Sequence, residues 1–242
     1  MHSMAAIQDG GWRVQAKSLL RLGGPLIVNN LSVAGMQFAD AVMAGRLGAD
    51  ALAAVAVGGS VWFLGFSLCL GLLMAISPIA ARHFGAGNYG LIGRYTRQGV
   101  YLGVSFGVML ILIAQFANAP MLVMIGIDPE FRDLTVGYVH AIMFGGPGIF
   151  IFLALRFTTE GVGHTRPIMF TSLLALTCNV LLNYVLMFGK FGAPALGVVG
   201  CGAASAITMW LVALAVAAYL LVSKHYRAFR SGGRVGARGG AG

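Results

Sequence analysis

Long apolar stretches separated by short polar joints run through most of the chain. Six of them reach the roughly 20 residues that a helix needs to cross a bilayer. They lie at about residues 22–44, 53–77, 98–117, 135–156, 168–188 and 199–222. Pro167 stands at the start of the fifth stretch, a helical position at which its missing N–H is not needed. The pattern predicts an all-α membrane protein, built as a bundle of six transmembrane helices.

The composition agrees with a membrane protein. The chain is 58% hydrophobic and only 10% charged, whereas a soluble domain carries about 25% charged residues. Its mean hydropathy is +0.85, and its 36 glycines suit helices that pack in lipid through small residues. A net charge of +9 would suggest nucleic acid in a soluble protein. Here the basic residues lie at the ends of the apolar stretches, so we expect a multi-pass protein among membrane lipids, with no nucleic-acid partner.

The distribution of Lys and Arg predicts the orientation. If the N-terminus is cytoplasmic, 13 of the 16 basic residues fall in cytoplasmic segments and 3 fall outside. Because basic residues collect on the cytoplasmic side, both termini are predicted to lie there. The predicted organisation is a cytoplasmic N-terminal segment (1–21), a six-helix unit (22–222) and a basic Gly/Arg-rich, disordered cytoplasmic tail (223–242).

A single carboxylate lies inside the first apolar stretch. Asp40 is the only charged residue of that stretch, and three amides precede it: Asn29, Asn30 and Gln37. Asn30, Val33, Gln37 and Asp40 follow a 3–4–3 spacing and share one helix face, which we expect to turn towards the bundle interior. A charge at membrane depth is costly and therefore indicates a functional site with a partner elsewhere in the bundle. A second interpretation also stays open. Asp40 is four residues from the end of the stretch, so it could simply reach interfacial water.

Spacing and depth place other polar residues at the level of Asp40. Asn179 and Asn183 are one helical turn apart and share a face of the fifth helix. At 1.5 Å per residue, Asp40 lies about 27 Å from the cytoplasmic end of its helix, and the two asparagines lie about 17 and 23 Å from theirs. We therefore expect a polar layer in the outer half of the bundle. Its members are Gln37, Asp40, Tyr138, Asn179, Asn183 and Thr208. The asparagine pair could instead serve packing between helices alone, and Tyr138 could be an interfacial aromatic residue.

Known catalytic patterns are missing from the sequence. It has no nucleophile with a neighbouring base, no glycine loop that binds phosphate and no metal-ligand spacing. We therefore expect neither an enzyme nor an ATP-driven pump, and no cofactor. Cys69, Cys178 and Cys201 lie far apart in apolar stretches and are interpreted as packing residues. A carboxylate with amide and hydroxyl neighbours suits an ion-coupled carrier, in which Asp40 exchanges a proton or holds Na⁺ together with oxygen ligands.

Several runs of sequence resemble one transporter family. The run PLIVNNLSVAGMQFADAVMAGRLGADALAAVAVG, which begins at Pro25, resembles the first span and loop of the multidrug and toxic compound extrusion (MATE) family, in its bacterial NorM-like branch. The resemblance continues in AARHFGAGN, EGVGHTRPIM and NVLLNYVLMFGKFGAPALGVVGCGAASAI, and covers roughly residues 15–225. It implies an inner-membrane antiporter that uses inward Na⁺ or H⁺ to expel cationic, amphipathic drugs by alternating access.

The resemblance also implies roles for individual residues. Asp40 matches the carboxylate of the family's ion site in the first span, and Asn179 matches an amide of the fifth span, so Na⁺ could bind at these two residues. Asn183 falls where some relatives carry a second acid, so an acidic pair at that place is absent here. Tyr138 and Thr208 fall near positions that line the same cavity, with weaker local motifs.

The length departs from the family, which has twelve spans in two six-span lobes. This chain resembles the N-terminal lobe alone, and it would supply half of the wall of a drug cavity between lobes. Three other interpretations of the chain stay open. It could be a truncated fragment that does not transport, a half-transporter that pairs with a second lobe or with its own copy, or a transporter of lipid-linked saccharides. That last cargo would favour cationic groups in the cavity. The sequence places none within the spans, so drug cations are the favoured substrates.

Overall fold

The structure, a computed structural model, describes residues 12–124 and 129–223, with side chains for 23–116 and 131–223. Eight α-helices and no strand occur in this part of the chain. They are α1 (Trp12–Leu47), α2 (Ala49–Met74), α3 (Ile76–Gly85), α4 (Tyr89–Met124), α5 (Pro129–Met143), α6 (Gly146–Gly161), α7 (Arg166–Phe188) and α8 (Gly197–Val222). The all-helical fold class is confirmed. The predicted tail beyond Ser223 lies outside the described residues.

Several of these helices are long and apolar enough to cross a membrane. Within the described residues there are four such segments, Ala49–Gly85, Tyr89–Phe116, Arg166–Phe188 and Gly197–Val222. The bent pair formed by α5 and α6 makes a fifth when it is counted as one span. α1 is not among them, and it is the helix that carries the three amides and Asp40. The number of six spans and the cytoplasmic placement of the termini therefore stay predictions.

The prediction of one continuous helix over the fourth span, 135–156, was wrong. α5 ends at Met143 and α6 begins at Gly146, and the two helices meet at an angle of 44°. Pro147 stands in the first turn of α6. Its ring lacks an N–H and would clash with the carbonyl four residues before it, so α5 cannot continue through it. The Phe144 carbonyl at this break accepts a hydrogen bond from the indole Nε1 of Trp210 on α8, at 3.0 Å. This hydrogen bond joins the break to α8 at an exposed position.

Glycines on α8 let it approach two other helices at backbone distance. A Cβ atom on Gly202 would lie 2.6 Å from the carbonyl oxygen of Tyr138 on α5, and one on Gly200 would lie 2.6 Å from that of Leu186 on α7. Such contacts are typical of helices that pack in lipid through small residues. They hold α8 against the two helices that carry Tyr138 and the asparagine pair.

The other ionisable side chains that the sequence singled out are paired within the bundle. His140 on α5 forms a hydrogen bond through Nε2 to the carbonyl of Ala114 on α4, at 2.8 Å. Arg156 donates through Nε to Glu160 Oε1 at 2.6 Å, and the two side chains are only 18% and 16% exposed. The pair is therefore largely buried within the bundle. Among the described residues, no group of His, Cys, Asp and Glu could hold a metal ion, and the three cysteines are free.

Candidate functional site

The structure brings Asp40 of α1 into contact with the asparagine pair of α7. Asn183 donates a hydrogen bond through Nδ2 to Asp40 Oδ1, at 2.5 Å. The same Nδ2 donates to Asn179 Oδ1 at 3.2 Å, as their spacing of one turn allows. Residues separated by 143 positions in the chain therefore meet at one level. Asp40 belongs to the bundle network and is not a helix-end carboxylate with only water as its partner.

α5 and α8 complete the surroundings of the carboxylate. Asn179 donates through Nδ2 to Ser205 Oγ on α8, at 3.4 Å. The thiol of Cys201, also on α8, and the phenol of Tyr138 on α5 both lie near Asp40. The sequence analysis missed Cys201, which we had interpreted as a packing residue. Its spacing of four residues from Ser205 was the available signal, because it places both on one face of α8.

The asparagines and the tyrosine of this network are almost completely buried, so an unpaired polar atom among them costs free energy. Asn183 is fully buried, Asn179 is 2% exposed and Tyr138 is 3% exposed. Asn183 Oδ1 has no hydrogen-bond partner within the described part of the chain. Leaving a buried acceptor unpaired costs about 1–3 kcal/mol, and such atoms are rare in folded proteins. The amide of Asn183 therefore retains an acceptor that a further ligand could use.

A cavity of about 630 Å³ opens next to this network. Its polar lining includes Gln37, Tyr138, Asn179, Ser205 and Thr208. Its apolar walls carry Trp62, Phe63, Phe66 and Phe152. Asp40 and Asn183 do not line it. They lie behind Asn179 and Tyr138, so a molecule in the cavity would sense the carboxylate across one layer of polar side chains.

The remaining predicted site residues occupy the cavity wall without touching Asp40. Gln37 is largely exposed and makes no hydrogen bond to Asp40. Thr208 is buried, and its hydroxyl donates to the Ala204 carbonyl at 2.8 Å. The hydroxyl oxygen can still accept a hydrogen bond. Gln37 and Thr208 therefore face the cavity contents, as Asn179 does, whereas Asn183 contacts the carboxylate.

The predicted inward face of α1 is partly wrong. Asn29 and Ser32 are buried, whereas Asn30, which we expected to face inward, is exposed. The contact of α1 with α7 passes through Gly35, where a Cβ atom would lie 3.3 Å from Leu176. Asn29, Ser32 and Gly35 are three residues apart and share one side of the helix. The side of α1 that faces α7 at Gly35 therefore includes Asn29 and Ser32, and Asn30 lies outside it.

A cationic side chain reaches the cavity, contrary to the sequence-based expectation. Arg156 is one of the lining residues. Arg156 is the last residue of the predicted fourth span, 135–156, but α6 continues to Gly161, so Arg156 lies within the helix. Its charge is paired with Glu160 on the next turn. The wall at this point therefore combines a guanidinium group with its own counter-ion.

Comparison with known proteins identifies the family of this fold. The MatE family model matches residues 25–185. The chain is 40% identical over 218 residues to multidrug resistance protein MdtK of Photorhabdus laumondii, covering 89% of this chain and 47% of the relative. It is 38% identical over 217 residues to a probable multidrug resistance protein NorM of Shewanella oneidensis, covering 88% and 46%. The chain thus spans about half the length of the curated relatives it matches.

Solved structures agree with this assignment at the level of the fold. The eukaryotic MATE transporter AtDTX14 superposes with a TM-score of 0.81 at 24% identity, over 89% of this chain and 47% of that one. A multidrug resistance MATE family transporter in an outward-facing conformation superposes with a TM-score of 0.78 at 23% identity. The family match includes Asp40, Tyr138, Asn179 and Asn183, and covers more than half of the chain. The chain therefore belongs to the MatE family of multidrug efflux transporters, of which it spans about half the usual length.

Proposed function

We propose that this chain is one half of an ion-coupled multidrug transporter of the bacterial inner membrane. It would exchange inward Na⁺ or H⁺ for cationic, amphipathic compounds by alternating access. The observation that carries the proposal is the hydrogen-bonded contact between Asp40 and Asn183 beside a large cavity. A carboxylate inside an apolar bundle is a group whose charge can be switched by a cation.

The site suits coupling because it joins three helices. Asp40 on α1 accepts a hydrogen bond from Asn183 on α7, Asn183 is bonded to Asn179 on the same helix, and Asn179 links α7 to Ser205 on α8. A cation at Asp40 neutralises the charge to which these donors are bonded. The preferred arrangement of the three helices would then change with occupancy, as in other switches that act through local charge.

The cavity suits an aromatic, cationic substrate. Trp62, Phe63 and Phe66 line it, and aromatic rings attract organic cations as well as apolar groups. The carboxylate behind the polar wall adds attraction for positive charge while it is unoccupied. A cation bound to Asp40 would remove that attraction, so ion entry and drug release favour one another.

Lipid-linked saccharides are a second candidate cargo. The presence of Arg156 in the cavity wall favours it, because a guanidinium group binds phosphate well. Glu160 already pairs with that guanidinium group and would oppose an anionic ligand. Drug cations therefore stay the favoured substrates.

A complete transporter would need a second six-helix unit, either another chain or a second copy of this one. Two copies would pair about a two-fold axis along the membrane normal, with the same surface used twice. The outer surfaces of α1 and α2 carry large exposed side chains, among them Leu31, Phe38 and Leu64. In the membrane these would contact either lipid or the second unit.

The proposal is tested by dye efflux from cells that lack their own multidrug pumps. We expect cells expressing the chain to accumulate several-fold less ethidium than cells with an empty vector. We also expect the difference to disappear when the Na⁺ and proton gradients are collapsed. Efflux that persists without either gradient would contradict ion coupling.

A second expression experiment distinguishes the half-transporter from an inert fragment. If the chain alone gives no efflux, it is co-expressed with the second six-helix half of a NorM-type relative. Crosslinking in membranes then reports whether this chain pairs with itself or with that half. Efflux by neither combination would identify a fragment that does not transport.

A further inference from the structure

The amide group of Asn183 lies between two acceptor oxygens. Its Nδ2 donates to Asp40 Oδ1 at 2.5 Å and to Asn179 Oδ1 at 3.2 Å. An amide NH₂ has two hydrogens to donate, and both are used here. A small hard cation held by the same two oxygens would occupy this position, because such cations take oxygen ligands.

The opposite edge of the same amide lacks a partner. Asn183 is fully buried, and its Oδ1 accepts no hydrogen bond from the described residues. The two edges exchange places when the amide turns by half a rotation, and the terminal torsion of an asparagine side chain is broad and roughly two-fold. After this turn, Oδ1 would face the oxygens of Asp40 and Asn179 with no hydrogen between them.

Three oxygens that face one another need a positive charge. A proton on Asp40 could be shared with Asn183 Oδ1, but it would leave Asn179 Oδ1 facing an acceptor. A metal cation satisfies all three oxygens at once. The Nδ2 of Asn179 donates to Ser205 Oγ at 3.4 Å, and its Oδ1 points towards Asn183.

Building on the proposed function, we propose that the Asn183 amide is an internal substitute for the coupling ion, and that this ion is Na⁺. In the empty site the NH₂ group occupies the position of the ion. When Na⁺ enters, the amide turns and Oδ1 becomes the third protein oxygen around it. Asn183 thereby determines which cation the site accepts, and the carboxylate is never left without a positively polarised partner.

The turn of the amide can be observed by infrared spectroscopy. The purified chain is labelled with ¹³C at the asparagine side-chain carbonyl, and difference spectra are recorded between NaCl and choline chloride at equal ionic strength. We expect Na⁺ to raise the melting temperature of the wild type and to shift an amide carbonyl band. Asn183→Leu assigns that band by removing it. Asp40→Asn should lose both the band shift and the stabilisation.

A second variant keeps the inference testable if Asn183→Leu fails to fold. Asn183→Asp replaces the NH₂ group with an oxygen, so the internal substitute is gone and a ligand is added. We expect it to bind Na⁺ at least about ten-fold more tightly than the wild type. Asn30→Asp is the matched control, because it adds the same charge at an exposed amide of α1 and should leave the affinity unchanged.

The outcomes separate this inference from the proposed function. If Na⁺ stabilises the wild type through Asp40 but the Asn183 band does not move, the inference is wrong and ion coupling stands. The same holds if Asn183→Asp binds Na⁺ no more tightly than the wild type. If Na⁺ binds to neither protein, the inference is also wrong, and a proton is left as the coupling ion.

Discussion

Asp40→Asn is expected to abolish ion-driven efflux while the bundle stays folded in the membrane. The substitution keeps the shape of the side chain and one oxygen, but it removes the charge. Two unit charges about 4 Å apart interact by about 4 kcal/mol at the effective dielectric of a partly buried site, which corresponds to a loss of about 10³-fold in ion affinity. Gradient-dependent dye efflux should therefore fall to the level of cells that carry an empty vector.

The controls for this variant separate coupling from folding. Asp50→Asn removes a carboxylate from the exposed first turn of α2 and should leave efflux unchanged. The thermal unfolding of the purified Asp40→Asn chain in Na⁺-free detergent should resemble that of the wild type, because Asn can still accept from Asn183. Gradient-dependent efflux at the wild-type rate in Asp40→Asn would show that Asp40 is not the coupling group.

The spans that hydropathy predicted well are bounded by strong sequence signals. α7 was predicted at 168–188 and runs from Arg166 to Phe188, and α8 was predicted at 199–222 and runs from Gly197 to Val222. Proline or glycine stands at their starts, and glycine follows α7. α4 extends well beyond the predicted 98–117, from Tyr89 to Met124. Hydropathy detects apolar residues, whereas a helix continues through polar ones wherever its backbone hydrogen bonds can form.

The break between α5 and α6 was present in the sequence but was overlooked. The run GGPG from Gly145 contains the proline that ends α5. A sliding average of hydropathy does not register it, because glycine and proline have only moderate hydropathy. Local backbone restrictions and apolar character are separate properties, and only the first determines where a buried helix bends.

Depth estimates predicted the level of the site along the membrane normal, but they could not predict which side of each helix faces the bundle interior. Counting residues placed Asp40 and Asn183 at one level, and the structure places them in contact. The same counting could not show that α1 turns Asn29 inward and Asn30 outward, because that rotation depends on how Gly35 packs against Leu176. Cys201 was missed for a related reason. Its role depends on the neighbour it meets, which only the packing of α8 determines.

Gly202→Val is expected to cause the largest loss of stability. The added Cβ would lie 2.6 Å from the Tyr138 carbonyl oxygen and 2.9 Å from the Ala141 side chain, so α8 would have to move away from α5. Overpacking of this kind costs about 3 kcal/mol when backbone must shift. The same movement would draw Cys201 away from Asp40. We therefore expect a clearly lower melting temperature in detergent together with loss of efflux.

Gly71→Val is the matched control for this substitution. Gly71 is exposed on α2, and a Cβ atom there would meet nothing within 4 Å. Both variants change the intrinsic helix propensity in the same way, so their difference in melting temperature reports the packing of α8 against α5 alone. Equal melting temperatures would mean that α8 can move away from α5 at little cost. In that case the contact at Gly202 could not be what holds Cys201 next to Asp40, and the geometry of the ion site would have to depend on the contact between α1 and α7 alone.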